Sequence, residues 1–325
     1  MLVVATGASQ PHVADGGTTT FMAESPLGAR RYTDASPSDP DTLSPVILHE
    51  TAPDPPLRSP VLVAAFDGWV NAGEAGTAAA EFLAAGGDDL VEFDGDRLFD
   101  YRDTRPIATF QEGVVGALDW PSVTIVRRRT PHRDLLVLSG TEPSLGWRGF
   151  TTAVGDVAAR LGVSEMVVLG GIPWAAPHTR PVTLITTAST AERLPSAADH
   201  PQGELTVPAS IAAALDAEMI RRGIPTIGFW ARIPNYLGTV FSAGALALLE
   251  RLALHLGLEL DLSVLVEAAD RQRVHLDAIT DGRPDIRTMV DQLEALVDAG
   301  TNASGEQLAA EIERFLRNRS DGDFE

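Results

Sequence analysis

The chain has 325 residues, of which 44% are hydrophobic, and a formal net charge of −20 from 45 acidic and 25 basic residues. An acidic surface of this size repels a phosphate backbone, so nucleic acid is not an expected partner. The sequence contains neither cysteine nor lysine, which excludes thiol nucleophiles, thiolate metal sites, P-loop phosphate sites and Schiff-base catalysis.

Residues 1–45 are rich in Gly, Ser, Thr, Pro and Asp and show no sustained hydrophobic period. Such a segment cannot bury enough apolar surface to offset the entropy of ordering the chain. We therefore predict a disordered or loosely attached leader over residues 1–45, a core domain over 46–260 and a helical C-terminal extension over 261–325. No apolar run reaches the length of a membrane span and no signal-peptide pattern opens the chain, so we expect a cytoplasmic protein without a membrane partner.

The predicted elements of the core alternate between strands and helices. Predicted strands are Val46–His49, Val61–Phe66, Leu90–Phe93, Val123–Val126, Leu135–Leu138, Met166–Leu169, Leu184–Thr187 and Thr226–Trp230. Predicted helices are Glu74–Ala85, Gly149–Leu161, Ile211–Arg222 and Ala243–Leu256, followed in the extension by Leu262–Ile279, Asp285–Ala299 and Ser304–Asn318. Continuous apolar strands separated by helices predict an α/β fold, with a parallel or mixed sheet flanked by helices on both faces.

Catalytic and cofactor motifs are not recognisable in the sequence. The first apolar strand is not followed by the G-x-G-x-x-G of a dinucleotide site, and no serine sits in a G-x-S-x-G elbow. The seven histidines lie far apart, so no metal site is predicted. The basic run Arg127–Arg129 follows an apolar strand and is interpreted as a strand end or local salt-bridge site rather than an anion site.

Unusual loops follow several of the predicted strands. The segment from Gly170 to Pro181 contains three prolines, and proline rigidity suits a loop to recognition. His178 and Arg180 in this loop either hold an anion or carboxylate together, or Arg180 pairs with an internal acid that fixes the loop. The sequence leaves both possibilities open. Glu142, in a comparable loop, is a candidate partner for Arg180 or Arg148.

Taken in order, four segments resemble the proteasome assembly chaperone family, in particular the actinobacterial relatives of its second chaperone subunit. The segments are Ala65–Gly73, Gly140–Pro143 with Trp147, Gly171–Pro173 with Pro177–Pro181, and Trp230–Leu237. The resemblance implies a domain similar to nucleoside phosphorylases, a homo-oligomer with a trimer as the expected state, and partners among the subunits of a proteasome-type complex. The chain departs from the family at Asn235, where histidine is frequent, and its last four residues lack the penultimate tyrosine used for docking on the proteasome.

The sequence therefore favours a non-catalytic interaction protein, a homo-oligomeric assembly factor or adaptor without a cofactor. The alternative is a protein or enzyme that binds a small molecule, such as a nucleoside or phosphate compound, through the strand-end loops, with His178 as acid–base group and Arg180 as anion holder. In either case the residues expected to bind a partner or ligand are Asp67, Trp69, Asn71, Glu142, Trp147, Arg148, Pro173, Trp174, His178, Thr179, Arg180, Asn235 and Tyr236.

Overall fold

The computed structural model describes residues 46–195 and 200–299. Its strands are β1 (Ile47–Glu50), β2 (Val61–Asp67), β3 (Asp88–Phe93), β4 (Ile107–Gln111), β5 (Val114–Asp119), β6 (Val123–Arg129), β7 (Asp134–Thr141), β8 (Met166–Trp174), β9 (Leu184–Ala188) and β10 (Thr226–Pro234). Its α-helices are α1 (Ala75–Ala84), α2 (Gly95–Leu98), α3 (Trp147–Arg160), α4 (Ile211–Arg221), α5 (Ser242–Leu256), α6 (Ser263–Asp281) and α7 (Pro284–Asp298).

Eight of these strands form one mixed sheet in the order β1-β3-β6-β7-β2-β8-β10-β9. The four central strands β7, β2, β8 and β10 run parallel, and the outer pairs are antiparallel. Strand β2 is buried at six of its seven positions, as expected for a central strand covered on both faces. The predicted α/β class with a mixed sheet is confirmed.

Two apolar clusters cover the opposite faces of the sheet. Alternate residues of β2 divide between them, because successive side chains of a strand point to opposite faces. Leu62 and Ala64 pack with the cluster that contains α3 and α4, whereas Val61 and Val63 pack with the cluster that contains α1 and α5. The sheet is therefore the middle layer of three, with helices on both sides.

The predicted helices and strands that fall on described residues all occur, with ends shifted by a few residues. The start of α4 carries the expected cap, in which the Ser210 hydroxyl accepts a hydrogen bond from the Ala213 N–H. The hairpin β4–β5 and the short helix α2 were not predicted. The proposed leader 1–45 and helix Ser304–Asn318 lie outside the described residues, and the division into core and extension stays a prediction.

The basic run lies on β6 and makes local contacts, as its first interpretation predicted. Arg127 is 2% exposed and its Nη2 donates to Asp134 Oδ2 at 2.8 Å. Arg128 donates to two carbonyl groups at the end of α1, and Arg129 pairs with Asp88 at 2.8 Å. Because these guanidinium groups bind acids and carbonyls of the same chain, the run fixes the fold and is not an anion site.

Candidate functional site

The candidate site lies at the edge of the sheet where the four parallel strands end. Parallel strands of an open α/β sheet bring the loops after their carboxyl ends to one side, which is where such folds bind ligands. Strand β2 ends at Asp67, β7 at Thr141, β8 at Trp174 and β10 at Pro234. The loops that the sequence singled out therefore meet at this edge.

Asn71 is the central side chain of the first loop and is 7% exposed. Its Oδ1 accepts hydrogen bonds from the N–H groups of Gly76 (3.1 Å) and Thr77 (3.2 Å) at the start of α1. Its Nδ2 donates to Thr77 Oγ1 at 2.9 Å and to Asp67 Oδ1 at 3.3 Å. An amide offers two donors and accepts through one oxygen, so Asn71 is fully used in holding the loop against α1.

Close backbone packing behind this loop requires glycine at position 171. Asn71 forms a parallel β-bridge with Gly171, and the Gly171 N–H donates to Val70 O at 2.9 Å. A Cβ atom at position 171 would lie 2.3 Å from Ala72 O, closer than any carbon–oxygen contact can approach. The approach of the first loop therefore explains the glycine at position 171.

Glu142 joins three elements through its carboxylate. Its Oε2 accepts from the Trp69 N–H at 2.9 Å, and its Oε1 accepts from the Ile211 N–H at 2.7 Å at the start of α4. A carboxylate is favoured at a helix N-terminus, where N–H groups lack internal partners. The suggested pairing of Glu142 with Arg180 is wrong, because the Arg180 guanidinium binds acids of α7 instead.

Trp147 and Arg148 are the first two residues of α3, which follows the loop that carries Glu142. Trp147 is half-buried, packs against the apolar core and donates its indole N–H to Pro143 O. This contact closes the loop between β7 and α3, which gives Trp147 a structural role. Arg148 is exposed on the surface of the helix.

His178 is packed between the β10 loop and α6. Its backbone N–H donates to the Tyr236 hydroxyl at 2.8 Å, and its Nδ1 lies 2.7 Å from the same oxygen. On the other side of the ring, His178 Nε2 lies 3.3 Å from Asp277 Oδ1 of α6. Burial lowers the pKa of His178 below its ordinary value, against the opposing effect of Asp277, and burial raises the pKa of Tyr236 to about 12.

Thr179 and Arg180 bind the last helix of the described chain. Thr179 donates its hydroxyl to Glu294, and Arg180 Nη1 lies 3.2 Å from the Glu294 carboxylate. Arg180 also donates to both oxygens of Asp298, from Nε at 3.0 Å and from Nη2 at 2.8 Å. The proline-rich loop is thus the docking point of α6 and α7, and the internal-acid interpretation of Arg180 is the one that the structure supports. The acidic partners on these helices were not identified from the sequence.

Trp174 and Asn235 lie side by side at the ends of β8 and β10. The Arg232 guanidinium stacks over the Trp174 ring at 4.7 Å, a cation–π distance. The Asn235 N–H donates to Trp174 O at 2.9 Å, while the Asn235 side chain is exposed. Asn235 is therefore among the candidate side chains that solvent or a partner can reach.

Two open clefts lie beside these loops. The first, of about 260 Å³, has Asp67, Asn71, Pro173 and Asn235 among its lining residues. The second, of about 660 Å³, lies on the other side of Asp67, toward the base of the β4–β5 hairpin. The hairpin residues that line the second cleft were not among the candidates, because the sequence predicts no helix or strand over residues 107–119.

Within residues 46–195 and 200–299 no group of three or more histidine and acidic side chains is placed to hold a metal ion. Nor does any helix in those ranges have the length and apolar character to cross a membrane.

The fold and the loop residues match one protein family. The family model described as "PAC2 family" matches residues 65–280, which include all four strand-end loops. The chain belongs to the PAC2 family. No curated protein matches the chain.

Solved structures agree with this PAC2 assignment. A Mycobacterium tuberculosis protein of unknown function, Rv2714, is 32% identical over 88% of this chain and 99% of its own, with a TM-score of 0.76. The M. tuberculosis proteasome-assembly chaperone homologue Rv2125 is 32% identical over 67% of this chain and 94% of its own, with a TM-score of 0.61. Pyrococcus furiosus PbaB, an archaeal proteasome activator, is 18% identical over 72% of this chain and 97% of its own, with a TM-score of 0.57, which shows a shared fold alone.

Proposed function

We propose that this PAC2 protein is a non-catalytic interaction protein, a homo-oligomeric assembly factor or adaptor for a proteasome-type complex. The observation that carries the proposal is the internal use of the polar groups in the strand-end loops. Asn71 and Glu142 form hydrogen bonds with backbone and side-chain groups of the same chain. His178 and Arg180 bind acidic side chains of α6 and α7. A general acid or base must instead be free to reach a substrate proton.

The family likeness supports the same proposal. Rv2125, called a proteasome-assembly chaperone homologue, is 32% identical to this chain over 94% of its own length. The trimeric state is part of the proposal and rests on the resemblance. A cytoplasmic location is also part of the proposal and rests on the sequence. An acidic, oligomeric protein of this kind would bind partner subunits through shape and exposed apolar groups rather than through a catalytic centre.

The direct test is an assembly assay with purified, unassembled α-type and β-type proteasome core subunits from M. tuberculosis, the source of Rv2125. We expect the full-length chain to bind one subunit type and to change the rate at which core particles form, as followed by native gel electrophoresis. If the chain at stoichiometric concentration binds neither subunit type and leaves the rate unchanged, the proteasome part of the proposal is wrong.

A small-molecule role remains the second candidate, because two clefts open at the ligand-binding edge of the sheet. The first cleft, of about 260 Å³, is smaller than the ~300–1,000 Å³ of typical ligand pockets, so its occupant would be small. We would screen nucleosides, sugar phosphates and inorganic phosphate for an increase in Tm, using wild type and Asp67→Asn. A ligand whose effect disappears in Asp67→Asn would favour this second function over the first.

A further inference from the structure

A third cleft lies beside the first half of β10, whereas the strand-end loops follow the last residue of that strand. It has a volume of about 190 Å³ and is enclosed by β9, β10, the last turns of α5 and the turn that follows β9. Its polar lining side chains are Thr186, Arg193, Arg251 and His255. No acidic side chain of the described ranges lines it, although the chain has 45 acidic and 25 basic residues. The cleft is therefore a basic place on an acidic protein.

Thr186 turns an unpaired hydroxyl into this cleft. It pairs with Phe229 across β9 and β10, so both side chains lie on the face of the sheet that α5 covers. Thr186 is 1% exposed, and its Oγ1 has no hydrogen-bond partner among the residues that the structure describes. Burial of a hydroxyl without a partner is unfavourable. A hydroxyl kept in this position indicates that the cleft receives a polar group.

Arg193 is held by Glu165 and keeps an unpaired donor. Its Nη2 donates to Glu165 Oε2 at 2.5 Å, and His255 Nε2 lies 3.1 Å from the same oxygen. The contact with His255, assisted by Arg193 and opposed by burial, lowers the pKa of Glu165 below its ordinary value, so this carboxylate is ionised at neutral pH. Arg193 Nε is buried and donates to no group within the described ranges. It is the second buried donor of the cleft that lacks an acceptor.

Arg251 supplies a charge that the described chain does not neutralise. Its guanidinium lies 5.8 Å from the centre of the Phe229 ring, and it forms no ion pair within residues 46–195 and 200–299. Because Glu165 neutralises one guanidinium, Arg193 and Arg251 together leave one positive charge in excess. A single carboxylate would balance that charge and match the planar donors of a guanidinium. A phosphate, with a charge of about −1.5 to −2 at neutral pH, would exceed it.

The remaining lining of the cleft is apolar and includes Ile227, Phe229 and Leu254. Its volume is below the ~300–1,000 Å³ of typical ligand pockets, so it has room for a short apolar group only. We propose that this cleft binds a small monocarboxylic acid with a short apolar body, whose carboxylate accepts hydrogen bonds from Arg193, Arg251 and Thr186. The site is separate from the strand-end loops, and the proposed function does not depend on it.

The test is isothermal titration calorimetry of the full-length chain with benzoate and with hexanoate, an aromatic and an aliphatic monocarboxylate. Benzyl alcohol, which keeps the ring but has no charge, and inorganic phosphate are the comparison probes. We expect at least one of the two acids to bind with a dissociation constant of about 1 mM or lower, and both comparison probes to bind about tenfold more weakly or not at all. An acid held at this strength dissociates during purification, so titration rather than co-purification detects it.

Variants of the cleft separate binding from stability. Arg251→Gln should weaken binding of the acid about tenfold, because a charged donor is lost. The matched control Arg271→Gln, an exposed arginine of α6 paired with Glu267, should leave binding unchanged. Thr186→Val should also weaken binding, yet the Tm of its free form should not fall, because valine replaces an unpaired hydroxyl with a methyl group of similar shape. A purely structural threonine would show the opposite pattern.

Several results would overturn this inference. They are the absence of binding by either acid at about 10 mM, phosphate binding as tight as that of the acids, wild-type affinity in Arg251→Gln, and a lowered Tm in Thr186→Val. The assembly assay with proteasome subunits is independent of these titrations, so failure of the proposed function and failure of this site are distinguishable.

Discussion

Replacing Glu142 by glutamine separates a structural role for the strand-end loops from a catalytic one. The carboxylate accepts one hydrogen bond from the Trp69 N–H at 2.9 Å and one from the Ile211 N–H at 2.7 Å. Hydrogen bonds to a charged group contribute about 1.5–3 kcal/mol each to stability. Glutamine keeps one acceptor oxygen but turns an NH₂ group toward the second N–H, so one of the two bonds is lost. We therefore expect Glu142→Gln to lower the free energy of unfolding by about 2–3 kcal/mol.

The assay is urea denaturation, followed by circular dichroism at constant pH and protein concentration. A loss of this size should reduce the denaturation midpoint without changing its slope and should lower the Tm by roughly 5–10 °C for a domain of this size. The matched control is Glu250→Gln on the exposed surface of α5, which should change stability by less than about 0.5 kcal/mol. A Glu142→Gln variant as stable as wild type would refute the reasoning and return Glu142 to the residues expected to bind a partner or ligand.

Three further predictions concern other buried charges. Arg127→Met should lower stability by about 3 kcal/mol, because the fully buried Asp134 loses its 2.8 Å guanidinium partner and keeps only Arg58, whose guanidinium is 4.0 Å away. Arg127→Met, Asp134→Leu should recover part of the loss in denaturation measurements. Burial lowers the pKa of His178, so protonation of this histidine favours the unfolded chain. We therefore expect the Tm to fall as the pH drops below about 6.5. The Tm of His178→Gln should fall less over the same pH range. Burial raises the pKa of Asp216 from 3.8 to about 6, so its ionisation destabilises the fold as pH rises through that value. Asp216→Asn should therefore be more stable than wild type at pH 7 by about 1–2 kcal/mol, with no gain below pH 4.

Each of these three predictions has a measured outcome that would contradict it. The Arg127 argument is contradicted if the single variant loses less than about 1 kcal/mol. The His178 argument is contradicted by a Tm that is independent of pH between about 5 and 7, the range in which histidine changes charge. The Asp216 argument is contradicted if Asp216→Asn is less stable than wild type at pH 7.

The central sheet could be predicted from the sequence because its strands are continuous apolar runs. Val61–Phe66 and Leu135–Leu138 have no other plausible place than the interior of the protein. Glycine did not mark every strand end, since β7 continues through Gly140 to Thr141. The hairpin β4–β5 was missed for the opposite reason. Its residues bury nothing in the described chain, so neither face imposes the apolar–polar alternation by which a half-buried strand is recognised.

The loops that carry the candidate residues follow the ends of the four parallel strands and meet at one edge of the sheet, but the hydrogen-bond partners of these residues could not be predicted. Glu142 reads as a free polar group in the sequence, because the helix N-terminus that it binds lies 69 residues further along the chain and leaves no local signal. Asn71 differs, because its partners Asp67, Gly76 and Thr77 lie within six residues of it.

Asp277, Glu294 and Asp298 are likewise ordinary exposed helix residues until the proline-rich loop is packed against them. The long-range pairing, rather than the residue types, decides that these groups hold the fold together.

Native mass spectrometry of the full-length chain, produced together with proteasome core subunits, tests the central claim most directly. The account predicts a homo-oligomer that carries core subunits in a defined ratio and retains no small molecule. A monomer that carries a bound metabolite and no protein partner would contradict it, and would make the strand-end clefts a binding site for that compound.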